Sequence, residues 1–388
     1  MIMQLGRNLD AFVQGLSAGV WRLINLGWRW LVIAAVVFVL ARLVLGWLVG
    51  WYRCREAREA VWLQVTVPAT MGRDAGERFA RSLAGMLHRT HRRPWRARHV
   101  ACEFFATDDA TTVGLWVPPA FAPKDVLAAI LGAWPGAQVE QVTPPPTLEG
   151  RGGVCGREIA PRAGEWSPLV DATARRVVDA DDYDPLGQVL TALAERGPGE
   201  TAVVQVIVAA QRGTGSRGLG VRVLDGTGGL CLWLLRELLD FLQPGPAPAR
   251  TGYRARSTQD PDPVAAQWFR DVVVKKTDRQ HLRVTVRAGV AGSVPARYRR
   301  GAVTRLTDGY DQVVTAGDGL ITRRVARAAR RIAARRPGPG FVATVAELAA
   351  LWHLPAHGGT YGMDTSPART RAAGRRAPRI PDWKDDQQ

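Results

Sequence analysis

Gly213–Gly218 reads GTGSRG, a match to G-x-G-x-x-G that follows a strand-like run directly. In a dinucleotide site such glycines open a helix whose N-terminal amides hold a pyrophosphate. Here the next residues, LGVRVLDGTGG, alternate and turn instead, so the stretch reads as a loop. The motor-type phosphate cradle G-x-x-x-x-G-K-[ST] occurs nowhere, and none of the four lysines sits in a glycine loop. Neither a nucleotide motor nor any cofactor is expected. His88, His91, His99 and Cys102 are metal-ligand types, but the arginines of HRTHRRPWRARH would repel a cation. Asp179, Asp181, Asp182 and Asp184 in DADDYDP lack the calcium-loop series and read as a solvated loop. No serine, cysteine or histidine constellation suggests a nucleophile, so an enzyme is not expected.

Basic clustering is the remaining chemical signal. RRVARAARRIAARR carries Arg323, Arg324, Arg327, Arg330, Arg331, Arg335 and Arg336. Read as a helix, it turns Ile321, Val325, Ala328 and Ile332 to a core and its arginines outward. Such a stripe can meet phosphates or an acidic protein surface, or simply be a solvated face. A second run, Arg369, Arg371, Arg375, Arg376 and Arg379, lies in a Pro/Gly/Ala-rich tail that reads as disordered. The net charge is +17, yet only Lys124, Lys275, Lys276 and Lys384 among the 52 basic residues are lysines. An arginine skew with abundant Ala, Gly, Val and Pro fits a GC-rich genome. Clustering therefore says more than the total.

The elements that must position these residues begin with a membrane span. Residues 30–52, WLVIAAVVFVLARLVLGWLVGWY, carry one charge, Arg42, and have Trp21, Trp28, Trp47, Trp51 and Tyr52 near the two ends. A helix of that length covers roughly 34 Å at 1.5 Å per residue, enough for a hydrocarbon core of about 30 Å. Arg7, Arg22 and Arg29 on one flank balance Arg53, Arg55 and Arg58 on the other. The further arginines from Arg73 to Arg98 favour a cytoplasmic C-terminal body at the plasma membrane. Cys54, Cys102, Cys155 and Cys231 show no paired spacing, which fits a reducing compartment.

Beyond the span the chain reads as α+β. Strands at 61–68, 99–109, 111–119 and 137–144 with helices at 75–89 and 124–134 give the order β-α-β-β-α-β, the split βαβ or ferredoxin-like pattern. A Pro/Gly-rich linker covers 146–164. The pattern then recurs: a strand at 165–170, a helix at 184–197, strands at 201–211 and 281–290, and mainly helix over 295–333. An insertion at about 212–264 contains the apolar LCLWLLRELLDFL at 230–242 and reads as a docking element. The predicted organisation is thus an N-terminal segment (1–29), a span (30–52), a first ferredoxin-like domain (55–145), a linker (146–164), a second domain (165–360) and a basic tail (361–388).

Several of these segments, VWLQVTVP, ERFARSLAGMLH, CEFFATDD with VGLWVPP, AWPGAQVEQV, TAVVQVIVAA and HLRVTVRAGV, together resemble one family. It comprises the N-terminal, non-motor regions of membrane-anchored conjugative DNA-transfer ATPases, related to type IV secretion, in actinobacterial and other Gram-positive mobile elements. FVATVAELAALWHLP (341–355) resembles the segment that leads into the motor there. The resemblance implies a split machine: an anchored, non-catalytic subunit that positions a separate ATPase, with a homo-oligomer plausible because such motors are usually rings. Glu347, Leu348, His353, Leu354 and Pro355 would then dock the partner, or His353 would be a packed, hydrogen-bonded histidine. The alternative is a membrane-tethered protein that binds nucleic acid without regard to sequence.

Overall fold

The computed structural model describes residues 33, 35–48, 50–52, 55–69, 71–72, 74–89, 97–148, 153–170, 184–211, 263–278, 280–314 and 319–366. The chain divides into Met1–Arg58 and Glu59–Gln388. In the first unit, α1 (Ala35–Arg58) is a 24-residue helix of mean hydropathy 1.9 with none of its apolar window buried, long and apolar enough to cross a membrane. Residues 30–32 of the predicted span lie outside the described residues, as do 212–262, which hold the GTGSRG loop and the 230–242 segment.

The second unit is α+β. Its first half runs β1 (Val61–Pro68), α2 (Ala75–Arg89), β2 (His99–Ala106), β3 (Thr111–Val117), α3 (Pro123–Ala133) and β4 (Gln138–Val142). Its second half runs β5 (Val154–Pro161), α4 (Gly187–Ala194), β6 (Thr201–Ala210), α5 (Pro263–Thr277), β7 (Leu282–Ala291), α6 (Ala296–Asp308) and β8 (Leu320–Arg324). The chain then adds α7 (Ala328–Ala333), β9 (Phe341–Ala343), α8 (Val345–Leu351) and β10 (Thr365–Ser366). Strands β4-β1-β3-β2 form one antiparallel set and β6-β7-β5-β8 another. The two sets join edge to edge, because β2 pairs with β6 along its whole length, from His99–Ala209 to Ala106–Ala202. Both predicted domains therefore share one ten-stranded sheet.

Period-two alternation divides the sheet into two faces. Leu63, Val65, Val100, Cys102, Phe104, Val113, Leu115, Val204, Val206, Val284 and Val286 belong to the main core, together with buried residues of α2, α3, α4, α6 and α8. The opposite face is covered near its middle by α7, whose Ala328 and Ile332 pack with Phe105 and Val203. Two glycines make room there. A Cβ on Gly114 would lie 2.6 Å from the Trp62 ring, and one on Gly289 would overlap Ile332.

Three expectations change. The strand of the second half lies at 154–161, inside the predicted linker, and 165–170 is not a strand. The backbone of 165–170 is held by side chains instead: Ser167 O accepts from Lys275 Nζ at 2.7 Å, and Leu169 N donates to Glu347 Oε1 at 2.8 Å. The predicted helix over 295–333 is broken by β8, an edge strand paired with β5. Left-handed backbone at Arg327 (φ 53°) and Arg335 (φ 46°) brackets the short α7. Finally, residues 361–366 are part of the fold, since β10 pairs in parallel with β1 at Val67–Thr365 and Pro68–Ser366. Residues 367–388 of the predicted tail lie outside the described residues.

Candidate functional site

Directly opposed residues in a sheet lie on the same face, so a row of them can be followed from edge to edge. On the α7 side one row runs Arg323–Glu158–Arg287–Gln205–Glu103–Gly114–Gln64–Glu140, crossing eight strands. Its middle is buried: Arg287, Gln205 and Glu103 are all 0% exposed. Buried charge is tolerated only when paired and hydrogen-bonded, and Arg287 and Glu103 both are; Gln205 donates through Nε2, while its Oε1 has no partner among the described residues.

Glu103 sits on the seam between the halves. Its Oε1 accepts from Gln205 Nε2 at 2.7 Å and Arg335 Nε at 2.9 Å, and its Oε2 from Trp62 Nε1 and Arg335 Nη2, both at 3.1 Å. Four donors fill the carboxylate, which leaves it no role as a general base. Arg287 gives Glu158 a second ion pair, at 2.6 Å, and donates to the Arg331 and Arg336 carbonyls at 3.0 and 2.7 Å. Burial pulls the Arg287 pKa down while Glu158 opposes that shift. Gln205 donates to Ile332 O at 3.1 Å. The row thus fixes residues 331–336 from beneath, through three backbone carbonyls and one side chain.

That support sorts the predicted arginine stripe. Arg323, Arg324, Arg327, Arg330 and Arg331 are exposed, and among the described residues none of their side chains has an ion pair or hydrogen bond. Arg335 is turned inward, 3% exposed, against Glu103, which corrects its assignment to the outer face. Arg336 is half-buried. Val325, Ala328 and Ile332 do face the interior, as the spacing predicts, whereas Ile321 lies half-buried in strand β8. Register separates the two strand arginines. Arg323 lies opposite Glu158 on the α7 side, whereas Arg324 lies opposite Arg157 on the other.

The predicted docking residues are likewise built into the body. Glu347, Leu348 and Leu354 are 3%, 2% and 2% exposed, and Pro355 is buried, so these side chains do not present a docking surface. Glu347 closes a capping box with Thr344 and pairs with Lys275 at 2.9 Å. Leu348 and Leu354 join the main core. Trp352, from the same segment, stacks among Phe79, Trp134 and Phe104 at centroid distances of 5.3, 6.0 and 5.8 Å. The segment clasps the helical face of the first half as Arg335 clasps the opposite face.

His353 is a packed, hydrogen-bonded histidine. Its Nδ1 meets Ala349 O at 2.9 Å and its Nε2 meets Asp184 Oδ1 at 3.1 Å. Both partners only accept, so the imidazolium form, with both ring nitrogens donating, is the one that satisfies both contacts. Burial opposes that charge, but Asp184 outweighs it and raises the histidine pKa above 6.5. Burial also works against ionised Asp184, yet His353 and the Leu186 amide lower its pKa below 3.8. With both nitrogens occupied, the ring has no lone pair for accepting a proton from a substrate. Beside the pair is an open groove of about 580 Å3, lined by Asp184, Gln188, Glu195, Arg305, Asp308 and Tyr361 among others.

Of the possible metal ligands, His91 lies outside the described residues, and no group of three or more His, Cys, Asp or Glu suited to a metal occurs among the described ones. His99 stacks on Trp116 at 5.3 Å and Cys102 lies in the core. Asp179, Asp181 and Asp182 also fall outside, while Asp184 is the partner of His353. Sequence reasoning missed Glu103, Gln205, Arg287 and Glu158. A signal was there for two of them: Glu103 and Gln205 each interrupt a largely apolar strand, at positions that come into register. Comparison with family models, with characterised proteins and with solved structures finds no match to this chain.

Proposed function

We propose that the chain is a membrane-anchored, non-catalytic subunit of a conjugative, type IV secretion-like DNA-transfer apparatus, positioning a separate ATPase. The observation that carries this reading is the pairing of an apolar helix of spanning length with a body whose buried ionisable pairs are consumed internally. Such a body is a rigid support rather than a reaction centre. The arginine-rich stretch after the helix supports reading the body as cytoplasmic at the plasma membrane.

Each half is read as a ferredoxin-like unit. The order β-α-β-β-α-β of the first half supports this, as does the same order in the second half once α5 between β6 and β7 is set aside. The strand orders β4-β1-β3-β2 and, with β5 taking the place of β1, β8-β5-β7-β6 support it too. Because the ELA-x-L-x-HLP-like segment is interior, contact with the ATPase falls to other surfaces. The outer side of α5 is favoured, where Phe269, Val273 and Val274 are 61%, 59% and 59% exposed. Exposed apolar groups of that size mark interaction sites.

The test is a pull-down of the detergent-solubilised chain from its native host at high salt, read by mass spectrometry. A motor ATPase should be enriched, and Phe269→Ser with Val273→Ser should release it while the body stays folded. Absence of any ATPase would overturn the reading. Retention by the double variant would move the contact elsewhere on the body.

A further inference from the structure

We propose that Arg323, Arg327, Arg330 and Arg331 form a surface that binds the phosphate backbone of nucleic acid without regard to base sequence. The inference stands on side chains that the scaffold reading does not use. Arg330 and Arg331 are exposed on α7, opposite its buried Ala328 and Ile332, and Arg327, the left-handed residue at its N-terminus, is exposed as well. Arg323 joins them from the same side of the sheet edge, as its pairing with Glu158 requires. That carboxylate is occupied by Arg287 at 2.6 Å, so it is engaged elsewhere.

Two features favour a polyanion over solvent alone. Three neighbouring arginines of the row and its surroundings are engaged: Arg287 with Glu158, Arg335 with Glu103, and Arg157 with Thr322 at 2.7 Å. The four outward guanidiniums have no partner among the described residues, yet Arg287 and Gln205 hold the carbonyls of Arg331 and Ile332, and pairing with β5 holds Arg323. Charge held on a fixed support is pre-organised for a ligand and loses little freedom on binding. Phosphate is favoured over a lipid surface because the exposed residues between the arginines are Ala326, Ala329 and Ala333, with no large apolar side chain to insert. The planar guanidinium fork also matches phosphate oxygens in pairs.

The experiment uses the full chain in detergent with a 20-base-pair duplex of mixed sequence, titrated across salt. Four phosphate contacts on a duplex contribute a log–log salt slope of about −3.6, a loss of roughly 10²-fold between 50 and 200 mM. Arg330→Ala with Arg331→Ala should make the slope shallower by about 1.8, equally for unrelated sequences. Arg324→Ala, on the other side of the edge strand, should leave it unchanged. Thermal melting checks that each variant is folded, as expected for exposed side chains with no hydrogen bond or ion pair among the described residues. An unchanged slope in the double variant, an equal fall with Arg324→Ala, or binding confined to phosphatidylserine vesicles would overturn the proposal.

Discussion

The two faces of the sheet are closed over the seam by different physics. On the helical side the C-terminal segment brings Trp352 into an aromatic cluster with Phe79, Phe104 and Trp134. On the other side the same segment brings Arg335 to Glu103, between strands that meet at Glu103–Gln205. Aromatic packing is strong but tolerant of small rearrangements. A filled carboxylate has only one satisfactory arrangement. The comparison teaches that one face supplies adhesion and the other fixes register, since a one-residue slip of β2 against β6 would send Glu103 into the apolar core.

Breaking the polar face should have the largest effect. Arg335→Ala leaves Glu103 buried and short of its cation, with an expected cost of about 3–5 kcal/mol in urea unfolding. Replacing the pair together, Glu103→Leu with Arg335→Met, sharpens the contrast. Stability should recover only in part, because desolvation is removed along with the attraction but Trp62 Nε1 and Gln205 Nε2 lose their acceptor. A loss as large as that of the single variant would show that the pair holds the seam by energy rather than by register. On the aromatic face Trp352→Phe should cost less, about 1 kcal/mol. The ring is retained, and a buried indole N–H with no partner is lost.

The smallest effect concerns pH. Because the His353 pKa is raised, the stability it supplies is full below about 6.5 and disappears as pH rises through the folded value. Asp184, with a lowered pKa, contributes above about 3.8 and stops contributing as pH falls through its folded value. The pair should thus be strongest between those limits. An NMR titration of the His353 ring checks this, and Asp184→Asn should bring its midpoint down.

Much of the first half was legible because its strands and helices are locally consistent: VWLQVTVP alternates, and AGERFARSLAGMLHR places Phe79 and Leu83 on one face. The second half was harder for a stated reason. VCGREIAP looks like linker because Gly156 and the charges of Arg157 and Glu158 dilute its apolar pattern. Those charges are satisfied only by Thr322 and Arg287, far away in sequence. RRVARAARRIAARR has helical spacing throughout, but pairing of β8 with β5 overrides it at one end. Asp184 and His353 stand 169 positions apart, and no local pattern connects them.

The bond from Arg335 to Glu103 spans 232 positions, and this separation has a bearing on biosynthesis. At about 5–20 residues per second, a ribosome needs roughly 10–50 s to travel between the two codons. Through that interval the first half exists with a carboxylate lacking its cation, and β2 stays an open edge until β6 has been made. A nascent chain in this state is a substrate for holdases and for other unpaired strands. Ribosomes that stall before Arg335 should therefore release products that aggregate or are degraded, and expression of the whole protein should be sensitive to translation speed across this interval.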